Sequence, residues 1–467
     1  MHLARIEAED TTQPQSNRRP TRSAVKSVYS CVLTAAALAS ILGCGNTYRP
    51  VVSAVNPVGP AGQPTKYAIA VSSPSLTSPG LVTIVDFSGD SVLITANLGV
   101  NPYYLALNSS GNTGYTLNGD GTVTSFGIST TLQTKDVLQT TLLSGAAPNS
   151  ILPLTSSTYI SEPGRNSIAQ LTGSPPALKQ ELPVDTGYTP VYIAGAAAGT
   201  RAYAISQATA GGPGQVAAID IASNTISNRI NVGIAPIYGV MTADGRRVFV
   251  MNQGDGTVSV INAQTNQLDT PPTGSTNPIV VGTAPVWADL APARNEMVVA
   301  NAGDGTKPGS LSIVNIPLCS VVTLPSNPGC DVNNPVDAVG FGQVLATVPV
   351  GVNSLMVAVL QDIANSRAYV LNQGDLSQPC TPPTAALPAG NCSVSVVNLT
   401  TNTVTATIPI SGGHPNFIAA TSGTPTGKVY VTSPESNAMT IIRTDTDTVE
   451  TTVDLQGKGV QVRVTAP

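Results

Sequence analysis

Gly233-Ile-Ala-Pro236-Ile-Tyr238-Gly-Val-Met241-Thr-Ala-Asp244-Gly245-Arg-Arg247-Val-Phe249-Val-Met251-Asn252 reads as a turn, an apolar strand, a second turn and a second strand. Its opening phrase, Gly-x-x-Pro-x-aromatic, recurs whole or worn at Gly99, Gly145, Gly187, Gly233, Gly282, Gly351, Gly412 and Gly457. The spacing is roughly 40 to 50 residues, widened twice by insertions, and such self-similarity marks one supersecondary unit stacked on copies of itself. After Asn252 the chain continues through the turn Gln253-Gly254-Asp255-Gly256 into Val258-Ser-Val-Ile-Asn262, then through Gln264-Thr265-Asn266 toward the next glycine. Other copies keep the order, with Arg367-Ala-Tyr369-Val-Leu-Asn372 and Lys428-Val-Tyr430-Val-Thr432 as second strands and Leu311-Ser-Ile-Val-Asn315 and Val394-Ser-Val-Val-Asn398 as third strands. Period-two patterning, β-branched residues and Gly/Asn/Asp turns all specify strand, and no segment sustains a helical period.

Four short antiparallel strands per repeat, with no helices, predict an all-β chain built as a β-propeller of four-stranded blades. Eight second strands, near Tyr67, Tyr115, Tyr159, Tyr203, Phe249, Val298, Tyr369 and Tyr430, predict eight blades. Seven is the alternative, because the unit near Tyr159 is degenerate. The first unit starts on a second strand and lacks an innermost one, whereas Val460-Gln-Val-Arg-Val464 follows the last glycine phrase. The C-terminal strand is therefore expected to close the ring, hiding the edges an open sheet would expose. The phrases around Ala368-Tyr369-Val-Leu-Asn372 and Val429-Tyr430-Val-Thr432 resemble the YVTN-type β-propeller repeat over about Tyr67 to the C-terminus. That resemblance implies the fold and an exported or surface protein, and assigns no activity.

Residues 1–43 read as an export signal: Arg18, Arg19, Arg22 and Lys26 precede an uncharged run whose apolar core is Cys31 to Leu42, too short to span a bilayer. Ile41-Leu42-Gly43-Cys44 resembles a bacterial lipobox, so Cys44 is the expected lipidation site. Residues 44–65, rich in proline, read as a tether, and 66–467 as the propeller domain. The leader holds five of the 21 basic and three of the 26 acidic side chains, which leaves a net charge of −7. This balance predicts no nucleic-acid partner and no membrane contact beyond the anchor. The expected location is the cell envelope, as a monomer.

Cys319, Cys330, Cys380 and Cys392 lie in two Pro/Asn-rich insertions. They allow three connectivities, and the sequential one closes two short loops, each worth about 3 kcal/mol by chain entropy. No Cys-x-x-Cys spacing and no histidine near either pair in sequence predicts no metal site. The turn holding Cys380 and Cys392 should share a face with the glycine phrases, and the other insertion should stand on the opposite face.

Candidate ligand contacts are His414 and two sets of residues. Tyr104, Tyr192, Tyr238, Trp287 and Phe417 share one position of the glycine phrase, with Ser150, Met356 and Val462 at the other three, and should ring one mouth of the channel. They serve either as an aromatic funnel or as blade-to-blade packing. Asp120, Asp255, Asp304 and Asp375 sit in hairpin turns, where a calcium or sugar reading competes with the ordinary preference of Asp for tight turns. Asp331-Val-Asn333-Asn-Pro335-Val-Asp337 carries a trace of calcium-loop spacing, with proline at an expected ligand. No cofactor is expected; calcium is the one ion with an opening. His414, before Pro415 in a glycine phrase, is the one histidine left beyond the leader, and no nucleophile elbow or phosphate loop is present. The favoured function is a lipid-anchored envelope module that binds a protein, glycan or small ligand on the face of the glycine phrases. The alternative is a metal-assisted, lactonase-like hydrolase using Asp289, Glu296 or the hairpin carboxylates.

Overall fold

The computed structural model describes residues 65–271, 274–317, 340–380, 391–424 and 426–465. The leader 1–43, Cys44, the tether up to residue 64, Cys319, Cys330 and the segment Asp331–Asp337 lie outside the described residues. The described residues form eight antiparallel sheets in an all-β architecture, and among them the helical content is three 3₁₀ turns. Seven sheets have four strands. In the fifth blade the fourth strand is split into Gln267–Leu268 and Ile279–Val280, both paired to Thr257–Asn262. No helix among the described residues is long and apolar enough to cross a membrane.

Closure follows the sequence reading. Lys458–Val464 pairs antiparallel with Tyr67–Ser73 as the innermost strand of the first blade, Ala70 facing Val462. The degenerate third unit is nevertheless a complete blade, with Ser150–Pro153 innermost and Ala177–Pro183 outermost.

Two recurring devices explain the repeat phrase. The first joins the phrase glycine to the asparagine that ends the second strand. Asn118, Asn252, Asn301 and Asn372 are buried, and each donates from Nδ2 to a hydroxyl of the third strand: Thr124 at 2.7 Å, Ser259 at 2.9 Å, Ser312 at 3.0 Å and Ser395 at 2.9 Å. The same amides lie against Gly99, Gly233, Gly282 and Gly351, where an added Cβ would come within 2.2 to 2.6 Å of the asparagine side chain. Glycine is thus required at these four positions by close approach. In the third blade Glu162 stands where the asparagine stands elsewhere. It is fully buried beside Glu181, and burial together with that second carboxyl raises its pKa to about 7.

The second device links neighbouring blades. The second-strand tyrosine reaches the left-handed residue in the next blade's turn between third and fourth strands. Tyr159 donates to Asn224 at 2.6 Å, Tyr203 to Asn266 at 3.4 Å and Tyr369 to Asp447 at 2.8 Å. Those acceptors have φ of 55°, 58° and 52°, a conformation Asn and Asp tolerate. At the junction between the eighth and first blades Lys428 takes this role, pairing with Asp90, and both side chains are largely buried.

The glycine phrases and the turns between second and third strands occupy one face, as expected. Backbone bonds pin each turn to the phrase entering its blade: Gly119 donates to Val100, Gly254 to Ile234, Gly303 to Thr283 and Gly374 to Val352. Each innermost strand therefore starts at the glycine-phrase face and runs through the channel wall to the opposite mouth.

Candidate functional site in the central channel

The five phrase aromatics do converge, as a packed arc. The Tyr192 and Tyr238 rings lie 4.7 Å apart, Tyr238 stacks on Trp287 at 3.9 Å, and Trp287 meets Phe417 edge-on at 6.0 Å. Arg463, from the closing strand, holds its guanidinium 4.4 Å above the Phe417 ring. Tyr104 faces the Tyr192 hydroxyl, and burial followed by this neighbour raises the Tyr192 pKa well above the usual phenol. Tyr238 is raised as well, first by burial and then by the Asp289 carboxylate. Side chains from six blades thus meet across the channel, where ring packing adds about 0.5–1.5 kcal/mol per pair to simple burial.

Between this layer and the far mouth lies a cavity of about 300 Å³, bounded by Trp287, Asp289, Met356, Gln361, Ala419 and Arg463 among others. Asp289 is the one carboxylate among its described lining residues. The N–H of Val359 donates to its Oδ2 and that of Leu290 to its Oδ1, both at 2.8 Å. Burial nevertheless lifts its pKa to about 6, against the pull of those two donors and of Arg463. Arg463 donates from Nε to the Leu105 carbonyl at 3.3 Å, and its two terminal nitrogens have no protein hydrogen bond among the described residues. A guanidinium fixed at Nε, with its outer fork open to an aromatic-floored cavity, is arranged to receive a carboxylate.

Aligning the eight phrases exposes a signal in the sequence. The residue six after the glycine is Leu105, Ile151, Ile193, Gly239, Ala288, Val357, Ile418 and then Arg463; the next is Ala106, Leu152, Ala194, Val240, Asp289, Ala358, Ala419 and Val464. One charge interrupts each uncharged column, and both charges face the same cavity. Glu296, by contrast, pairs with Arg294 at 2.8 Å at the start of its second strand.

The hairpin carboxylates bond their own turns or, for Asp255, the adjoining glycine phrase. Asp120 accepts from the N–H of Thr122 at 3.1 Å, Asp255 from Ile234 at 2.9 Å, Asp304 from Thr306 and Lys307 at 3.0 and 2.8 Å, and Asp375 from Ser377 at 2.9 Å. The Lys307 and Thr306 donors hold Asp304 well below the usual carboxylate range. These residues stand in four different blades, each in a separate turn.

Cys380 and Cys392 form a disulfide, Cα–Cα 5.3 Å, in the turn between the second and third strands of the seventh blade. His414, distant from both in sequence, lies against that turn. Its Nδ1 is 2.8 Å from Glu435 Oε1 and its Nε2 is 3.0 Å from the Gln378 carbonyl. Spacing along the chain could not reveal this, because two loops of successive blades supply the parts.

No protein-family model matches the chain, and no curated protein does. Solved structures share its fold. AztD from Citrobacter koseri is 11% identical, with 85% of this chain and 97% of AztD covered, at a TM-score of 0.54. Dihydro-heme d1 dehydrogenase NirN is 12% identical over 88% of this chain and 78% of its own, at 0.57. A candidate 6-phosphogluconolactonase from Bacteroides fragilis is 12% identical over 87% and 99%, at 0.50. At such identities the likeness establishes the β-propeller fold and carries no activity across.

Proposed function

We propose that this chain is a lipid-anchored binding propeller of the cell envelope that takes a small organic carboxylate in its channel cavity. The observation that carries this is the pairing of Arg463, its outer fork open, with Asp289 across one aromatic-lined cavity. Arg463 would clamp the ligand carboxylate, Asp289 would accept from a hydroxyl or ammonium, and Trp287 and Tyr238 would cover the apolar body. About 300 Å³ suits a compact hydroxy or amino acid. The metal-assisted hydrolase needs several carboxylates around an ion, and the described cavity lining offers Asp289 alone, so binding is the favoured reading.

Trp287 is the chain's one tryptophan and lines the cavity, so its emission reports occupancy directly. Titrating the protein with hydroxy and amino carboxylates should give a saturable change in emission, with the matching amides inert. Arg463→Met should weaken binding at least about 30-fold, the loss of roughly 2 kcal/mol from a charge-assisted pair. Asp289 is a carboxylate above about pH 6 and protonated below it, so affinity for an ammonium-bearing ligand should fall as pH drops through that value. Equal affinity in Arg463→Met, or silence across the whole panel, would refute the assignment.

The anchor rests on Ile41-Leu42-Gly43-Cys44. Cys44→Ser should move the protein from membrane pellet to supernatant, and continued sedimentation with membranes would argue against lipidation.

A further inference from the structure

We infer that Cys380, Cys392 and His414 form a redox-gated site for a thiophilic divalent cation such as zinc, closed by the disulfide and opened by its reduction. The ligand atoms of all three lie within 4.8 Å of one another, and sulfur with imidazole nitrogen is the donor set that selects such ions. Three protein ligands leave a fourth tetrahedral position for water.

Two further features suit the site to a metal. Glu435 holds His414 Nδ1 at 2.8 Å, which aims the ring's other nitrogen toward the cysteine-bearing turn. Carboxylates in this position fix the orientation and raise the basicity of ligating histidines. The turn is also clamped independently of the disulfide. Asn391 accepts from the Asp375 N–H at 2.9 Å and donates to the Asp375 and Gln378 carbonyls at 3.1 and 3.2 Å, while Gly374 is tied to Val352. Reduction would therefore leave both sulfurs close to His414.

In the opening step a dithiol gives two electrons and two protons to the disulfide. The Cys380–Cys392 bond breaks, two thiols form, and the dithiol leaves as its own disulfide. Metal binding then releases the two thiol protons and the proton on His414 Nε2, which exchanges its hydrogen bond to the Gln378 carbonyl for the metal. Reoxidation by a small disulfide, which takes the two electrons with two protons and leaves as two thiols, re-forms the sulfur–sulfur bond, removes two ligands and expels the ion.

The test uses the full chain carrying Cys31→Ser, Cys44→Ser, Cys319→Ser and Cys330→Ser, reduced with a phosphine and titrated with cobalt(II) as the spectroscopic probe. The reduced protein should take up one equivalent, with a thiolate-to-cobalt charge-transfer band and tetrahedral ligand-field bands, and the oxidised protein none. Cys392→Ser should abolish the charge-transfer band attributable to a two-thiolate site, and His414→Ala should shift the ligand-field bands and weaken uptake at least tenfold. Glu435→Gln should weaken it about 10–100-fold with the spectrum retained. Thermal melts of the metal-free variants establish that each is folded, and competition with a chromophoric zinc chelator repeats the affinity order. The inference is overturned if the folded, reduced protein takes up no cobalt, or if His414→Ala leaves both spectrum and affinity unchanged.

Discussion

Ending the chain at Leu455, short of the closing strand, should yield a protein that no longer folds as a stable monomer. Lys458–Val464 supplies the whole innermost edge of the first blade, and its loss would bare Tyr67–Ser73, whose Ala68, Ile69, Ala70 and Val71 are fully buried in the closed ring. The same strand also ties both neighbouring blades. Gln461 accepts from the Leu105 N–H at 2.8 Å, Arg463 donates to the Leu105 carbonyl, and Asn416 donates to the Val460 carbonyl at 2.7 Å. Six register pairs at about 1 kcal/mol per hydrogen bond, with the burial of Val462 at roughly 2 kcal/mol, approach the 5–15 kcal/mol margin of an ordinary domain. Size-exclusion chromatography should find aggregate, since an unpaired apolar edge strand recruits other chains. A synthetic Lys458–Val464 peptide present during refolding should restore part of the monomer. A monomeric truncation with unchanged melting temperature would mean the ring does not depend on this closure.

Gly351→Val should cost about 2–4 kcal/mol, read as the shift in denaturant midpoint, although no ligand contact is touched. The side chain would be driven into Asn372, whose Cγ lies 2.5 Å from the ideal Cβ position. Moving Asn372 away breaks its bonds to Ser393 and Ser395 at 3.2 and 2.9 Å and its acceptance of the Gly351 N–H at 3.1 Å. Asn372→Ala alone should cost about 1–3 kcal/mol through the unpaired groups left behind. In the double variant the two losses should be strongly non-additive, because alanine vacates the space valine needs. Simple additivity would show that glycine and asparagine are not one device.

Much of the architecture was legible because a repeat multiplies weak signals. One Gly-x-x-Pro is a turn, but eight copies of the phrase, six of them with the proline, fix a period, and the missing first strand with its surplus at the end fixes closure. The sharing of a face between glycine phrases and the cysteine-bearing turn followed from strand alternation alone. Side-chain convergence was harder to read. The tyrosine of the second strand looks like core in one dimension, yet Tyr369 bonds Asp447 in the next blade, a relation set by the angle between blades. The shared phrase position brings the aromatics toward a ring at one mouth, but whether they leave an opening depends on ring radius and side-chain reach, which no spacing encodes. His414 escaped notice beside the disulfide for the same reason. Arg463 was readable, since it breaks a column of otherwise uncharged residues, but only once the closing strand was aligned as an eighth innermost strand.

The most direct test of channel recognition is a crystal structure of the protein with a carboxylate that saturates the Trp287 response. Ligand density should lie between Arg463 and Asp289, with the ligand carboxylate about 2.7–2.9 Å from the terminal guanidinium nitrogens. An empty cavity with the same ligand bound at the glycine-phrase face would contradict channel recognition.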